Sequence, residues 1–123
     1  MIHLVDSNIV IYTTKPEYGS LGKFLAGKTL AVSLVTFVEV LGFHQITAQD
    51  KEEFEIFFAA TELLPISSEI ADKAVELRQQ RRMSVGDSLI AATALVGTCL
   101  LVTNNTKDFK WIDSLNLLNP LDE

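Results

Sequence analysis

The 123-residue chain has one cysteine, three prolines, one tryptophan and fewer basic residues than acidic ones. A lone Cys99 excludes an internal disulfide, and its place in the apolar run 99–102 predicts a buried thiol in a reducing cytoplasm. No apolar run reaches the roughly 18 residues of a membrane span. Residues 1–6 lack a basic leader region and meet Asp6 early, so no secretory signal is expected. Ten Lys and Arg against sixteen Asp and Glu give a net charge of -6, which excludes nucleic-acid binding through a uniformly basic surface. A local basic edge remains open, and carboxylates gathered around a metal ion would neutralise part of the excess.

What is present is a hydrophobic content of 48% in a chain of one-domain length, so residues 1–123 are expected to form a single domain. Short apolar runs at 2–5 and 99–102 read as buried strands, those at 30–33 and 63–66 as further strands, with a last edge strand at 117–118. Helices are expected over 9–12, 19–25, 36–46, 48–61 and 68–82, and from Ser84 to about Gly97; 103–106 reads as a polar turn and 111–115 as weakly ordered. Strands too continuously apolar for a one-sided sheet, alternating with helices, predict an α/β three-layer sandwich. Its central parallel sheet would hold four to five short strands, flanked by helices on both faces.

The last long helix is apolar on nearly every face and carries one charge, Asp87, whose burial would require a compensating partner. In a parallel sheet, sites form beyond the carboxyl ends of the strands. Asp6 follows the first strand, Glu39 the second, and Asn105 and Asp108 the strand at 99–102, so all can reach one rim beside Asp87. Carboxylates packed together repel, which calls for a divalent cation, and hard oxygen ligands without His or Cys select Mg²⁺ or Mn²⁺. Such a site suits phosphodiester hydrolysis. Each acid also fits a plainer role: Asp6 as a helix cap, Glu39 and Asp87 as closing members of capping boxes begun by Thr36 and Ser84, and Asp108 as a loop acid.

Four elements together resemble the PIN domain, and most closely its VapC ribonuclease toxins from type II toxin-antitoxin pairs. They are Leu4-Val5-Asp6-Ser7-Asn8-Ile9, the stretch 33–42 with Thr36 and Glu39, Gly86-Asp87-Ser88 with the apolar residues after it, and 101–109 with Thr103, Asn105 and Asp108. The resemblance implies a PIN-like fold and a metal-dependent endoribonuclease, commonly a homodimer or a larger toxin-antitoxin assembly, silenced by an antitoxin that covers the acidic site. It matches Asp6, Glu39 and Asp87 to the family's main acids. Asn105 takes the fourth place, where it can offer an oxygen or a hydrogen bond but cannot act as a base, leaving Asp108 as the other candidate. Ser7, Thr36 and Thr103 are candidates for holding carboxylates or phosphate, and Arg78, Arg81, Arg82, Lys107 and Lys110 for phosphate contacts. Trp111 is a candidate to stack on a base or to pack in a core or dimer contact. The alternative function is a non-catalytic PIN-like module that binds RNA or protein; a phosphatase reading lacks the second acid beside Asp6, where Asn8 stands.

Overall fold

A computed structural model describes residues 1–121. Five short strands, β1 (His3–Val5), β2 (Leu30–Ser33), β3 (Glu62–Leu64), β4 (Leu100–Val102) and β5 (Asn116–Leu118), form one parallel sheet in the order β3-β2-β1-β4-β5. Successive residues of a strand face opposite sides of the sheet. Accordingly Leu4, Ala31 and Leu101 enter one core, while their neighbours Val5, Val32 and Val102 enter the other. Burial on both faces is the physical reason these strands read as unbroken apolar runs.

The second core is closed by α1 (Ser7–Tyr12), α2 (Ser20–Leu25), α3 (Leu34–Leu41) and α4 (Ala48–Ala59), which bury residues such as Ile9, Leu21, Val40 and Phe54. The first is closed by α5 (Ser68–Gln80), α6 (Val85–Gly97) and α7 (Thr106–Phe109) through Leu77, Ile90 and Phe109. The sandwich is therefore three-layered, as expected. Residues 88 and 90–94 of α6 are all buried, so this helix is enclosed around its circumference in its middle turns. Its first turn is not, since Val85 is exposed and Asp87 half-buried. No helix among the described residues is long and apolar enough to cross a membrane.

Several boundaries differ from expectation, each for a local reason. The helix expected over 36–46 is α3, which begins earlier because Ser33 caps it, accepting from the Val35 N–H at 3.1 Å, and ends at Leu41 before Gly42. Thr36 is thus inside the helix and no capping box joins it to Glu39. His44, inside the span of that expected helix, lies exposed in the turn beyond α3. The strand expected over 63–66 stops at Leu64, because Pro65 has no N–H to continue a ladder. Helix α4 stops at Ala59 and α5 at Gln80; Arg81 has already turned extended (φ -161°, ψ 148°). The polar turn expected at 103–106 leads into the one-turn α7, which fully buries Phe109.

Candidate active site

The chain winds from β1 outward through β2 to β3, then returns to place β4 on the other side of β1. The winding reverses between β1 and β4, the place where the loops beyond the strand ends diverge and leave a crevice. Asp6 stands there: its N–H donates to Val102 O at 3.0 Å, extending the β1–β4 pairing by one residue.

The Asp6 carboxylate is 6% exposed. It caps α1, accepting from the Ser7 N–H at 2.8 Å, and its other oxygen accepts from the Thr103 hydroxyl at 2.7 Å. The plain role expected of Asp6, as a helix cap, is thus filled. Burial raises its pKa above the usual carboxylate value; the Thr103 hydroxyl and Ser7 amide oppose that rise, and the negative charge of Glu39 adds to it. Thr103 in turn accepts from the Asn105 N–H at 3.0 Å, tying the turn after β4 to the acid after β1.

Glu39 projects from α3 and is exposed. Its Oε1 lies 2.7 Å from the Ser7 hydroxyl, which also lies 3.1 Å from the Thr36 hydroxyl. A Cβ at Gly86 would stand 3.0 Å from Glu39 Oε2, so the bare backbone at the start of α6 lets that carboxylate lie close without shifting. Nothing in the sequence marks this, because it depends on how α3 packs on α6.

Asp87 sits in the first turn of α6, whose cap is Ser84, accepting from the Asp87 N–H at 3.0 Å. Partial burial is the main cause raising its pKa, followed by the charges of Asp6 and Asp108; the Ser84 hydroxyl works against them, and Glu39 contributes last. Four carboxylates therefore share one electrostatic neighbourhood. Among the described residues none of them forms an ion pair, the pairs present being the surface contacts Lys51–Glu55 and Lys73–Glu76.

The donor set, all carboxylate oxygens with no His or Cys, fits a hard divalent cation. An acid as buried as Asp6 without a cationic partner fits it too. Among the described residues no three His, Cys, Asp or Glu side chains already stand in an arrangement that grips an ion. Two acids suffice for Mg²⁺, which keeps several of its own waters. Asp6 and Asp87 would hold it.

The remaining candidates separate by position. Thr36 and Thr103 are fully buried, so their hydroxyls serve side chains rather than a ligand from solvent. Asn105 donates from Nδ2 to Asp108 Oδ2 at 2.9 Å, which joins the two contenders for the fourth place into one unit. Arg78 is exposed, and its Nε donates to Met83 O at 3.2 Å, which commits one of its five donors to the fold. Arg81 and Arg82 are exposed and line a cavity with Asp87 and Asp108, whereas Lys107 and Lys110 are exposed outside its lining. Trp111 is neither wholly core nor free, being half-buried with its indole N–H bonded to Asp108 O.

Comparison with known proteins agrees with this fold. The model of the PIN domain family matches residues 3–115. Ribonuclease VapC2 of Rickettsia felis is 30% identical over 131 residues, spanning 97% of this chain and 98% of that protein. Among solved structures, VapBC2 from Rickettsia felis bound to a promoter DNA fragment matches with a TM-score of 0.85 at 27% identity, covering 97% of this chain and 98% of that one. A toxin-antitoxin complex from Klebsiella pneumoniae matches with a TM-score of 0.83 at 28% identity, covering 98% and 99%.

Proposed function

Because the chain belongs to the PIN domain family, we propose that it is a Mg²⁺- or Mn²⁺-dependent endoribonuclease of VapC type, cutting RNA phosphodiester bonds in the cytoplasm. The observation that carries the reading is the convergence of Asp6, Glu39, Asp87 and Asp108 at the sheet's reversal point without an ion pair among them. The named relative, a VapC ribonuclease covered almost end to end, supports the substrate class.

A bound divalent cation supplies acidified water and charge neutralisation at the phosphate. Asp6, buried and fixed by Ser7 N–H and the Thr103 hydroxyl, offers a ligand that cannot swing away. Asp87 is carried on the first turn of α6, where its backbone N–H donates to the Ser84 hydroxyl. Glu39, steadied by Ser7, is placed to orient the attacking water and accept its proton, or to hold a second ion. Asn105 cannot take a proton and instead orients Asp108.

The solved neighbours are toxin-antitoxin complexes, which supports a cognate antitoxin partner; in the proposed reading that partner covers the acidic rim and inhibits cleavage. The chain is read as one PIN domain over 1–123 that works as a homodimer, within a larger toxin-antitoxin assembly when the partner is bound.

The test is cleavage of a fluorescence-quenched RNA with Mg²⁺ present. Asp6→Asn keeps a capping side chain, so the fold persists, while cleavage falls by at least about a hundredfold. Undiminished cleavage by that variant overturns the assignment. A wild-type chain that binds neither Mg²⁺ nor Mn²⁺ in calorimetry and leaves RNA intact would instead be a non-catalytic binding module.

A further inference from the structure

Beside the acids, the turn between α5 and α6 meets α7 at a cavity of about 260 Å³, lined by Arg81, Arg82, Met83, Ser84, Asp87 and Asp108. Guanidinium and carboxylate groups in so small a space favour forked, doubly hydrogen-bonded pairs. Among the described residues no such pair forms there. Arg81 lies instead over the indole of Trp111, its guanidinium carbon 5.6 Å from the ring centroid. The same indole donates from Nε1 to the backbone carbonyl of Asp108 at 3.0 Å. One side chain thus fixes both walls of the cavity. The turn itself is pinned by Arg78 through Met83 O, and Arg81 has left the helix for an extended backbone that carries its side chain toward α7.

Resting on the ribonuclease reading, we propose that Arg81 contacts a phosphate of single-stranded RNA beside the acidic site, with Trp111 as its positioning residue. Stacking on the ring keeps the guanidinium from collapsing onto Asp87 and Asp108. Those carboxylates stay available for a cation, and the fork of N–H donors stays available for a phosphate. A planar guanidinium suits both partners, one through its face and the other through its edge. A negatively charged chain also needs local cations of this kind to admit RNA to an acidic rim.

The test uses the full chain with a fluorescein-labelled single-stranded RNA of about 12 random nucleotides, within the range of ordinary site sizes. Binding is read by anisotropy in the slow-cutting Asp6→Asn background with Mg²⁺ present, and KM and kcat are read in the otherwise native chain. Arg81→Ala weakens binding about tenfold and raises KM to match, with kcat within about twofold, the worth of one charge-assisted hydrogen bond. It also lowers the slope of log K against log salt by roughly 0.7, the value for one phosphate on a single strand. Arg81→Lys restores the salt slope but only part of the affinity, since an ammonium neither forks nor stacks. Trp111→Leu lowers affinity as Arg81→Ala does, the double variant loses no more than either single one, and Trp111→Phe, which keeps the ring face, stays near wild type.

An unchanged dissociation constant and salt slope in Arg81→Ala overturns the proposal while leaving the ribonuclease reading intact. Fully additive losses overturn the positioning role of Trp111. A wild-type chain that neither binds nor cuts the RNA overturns both readings together. Should Trp111→Leu fail to fold, as circular dichroism would reveal, the Arg81→Ala and Arg81→Lys slopes still decide.

Discussion

At the scale of single residues, the site is built from hydroxyls that hold acids. Thr103 serves Asp6, and Ser7 serves Glu39 while its backbone N–H serves Asp6. Ser7 is therefore the link between two carboxylates that come from different elements. Removing its hydroxyl in Ser7→Ala leaves Asp6 capped but frees Glu39 to rotate. Small misplacements of a catalytic group cost up to about a hundredfold in rate. Steady-state kinetics on RNA should show kcat reduced by at least about tenfold with KM little changed, whereas Ser7→Thr, which keeps the hydroxyl, should stay near wild type. An equal loss in both variants would mean that the hydroxyl is not what matters.

At the scale of elements, α6 carries a mismatch at its carboxyl end. The left-handed conformation that usually falls to glycine is taken by Thr98 (φ 53°, ψ 48°), one residue after Gly97. Gly97 is retained for space, since a Cβ there would stand 3.1 Å from Cys99 Sγ. A β-branched residue in that conformation is costly, and Thr98 is exposed, so nothing is lost by trimming it. Thr98→Gly is expected to stabilise the fold by about 1 kcal/mol in urea unfolding, part of the relief being offset by the greater freedom of glycine in the unfolded chain. A lower urea midpoint would contradict this. The sequence marks the end of α6 near Gly97, as observed; that the left-handed backbone falls on Thr98 is decided by how the chain turns into β4.

At the scale of the whole molecule, the acids make stability depend on protons and cations together. Asp6 and Asp87 have folded pKa values raised above their ordinary ones, so the folded state binds protons more readily than the unfolded chain. Without metal, the contribution of these two acids is therefore greatest below the ordinary carboxylate pKa and falls as pH rises through the raised folded values. These two acids therefore make the metal-free protein lose stability as pH climbs out of the carboxylate range. On the proposed metal-dependent reading, Mg²⁺ would reverse this contribution by binding the ionised folded site, and at a hundred times its dissociation constant it would add about 2.7 kcal/mol. Thermal unfolding across pH with EDTA and with Mg²⁺ measures both effects. A metal-induced gain that does not grow with pH would place the ion elsewhere than these carboxylates.

The sequence alone carried the layered fold, because strands buried on both faces must be apolar throughout and helices covering them must repeat at helical spacing. It also carried the rim on which Asp6, Glu39, Asp87, Asn105 and Asp108 fall, since each follows the carboxyl end of a strand or opens α6. Element ends were less legible: the helix expected over 36–46 became α3, because a cap at Ser33 and a stop before Gly42 are decided by local hydrogen bonds that periodicity does not record. Tertiary structure alone decided which side chains hold which. The Thr103 hydroxyl reaches Asp6 across 97 positions, and Ser7 reaches Glu39 across 32. The absent Gly86 side chain leaves the space beside Glu39 Oε2 open, and the Arg81 guanidinium lies over the Trp111 ring. Composition and spacing report what a residue is and which face it takes; contacts between distant elements arise only when the sheet closes and brings their ends to one point.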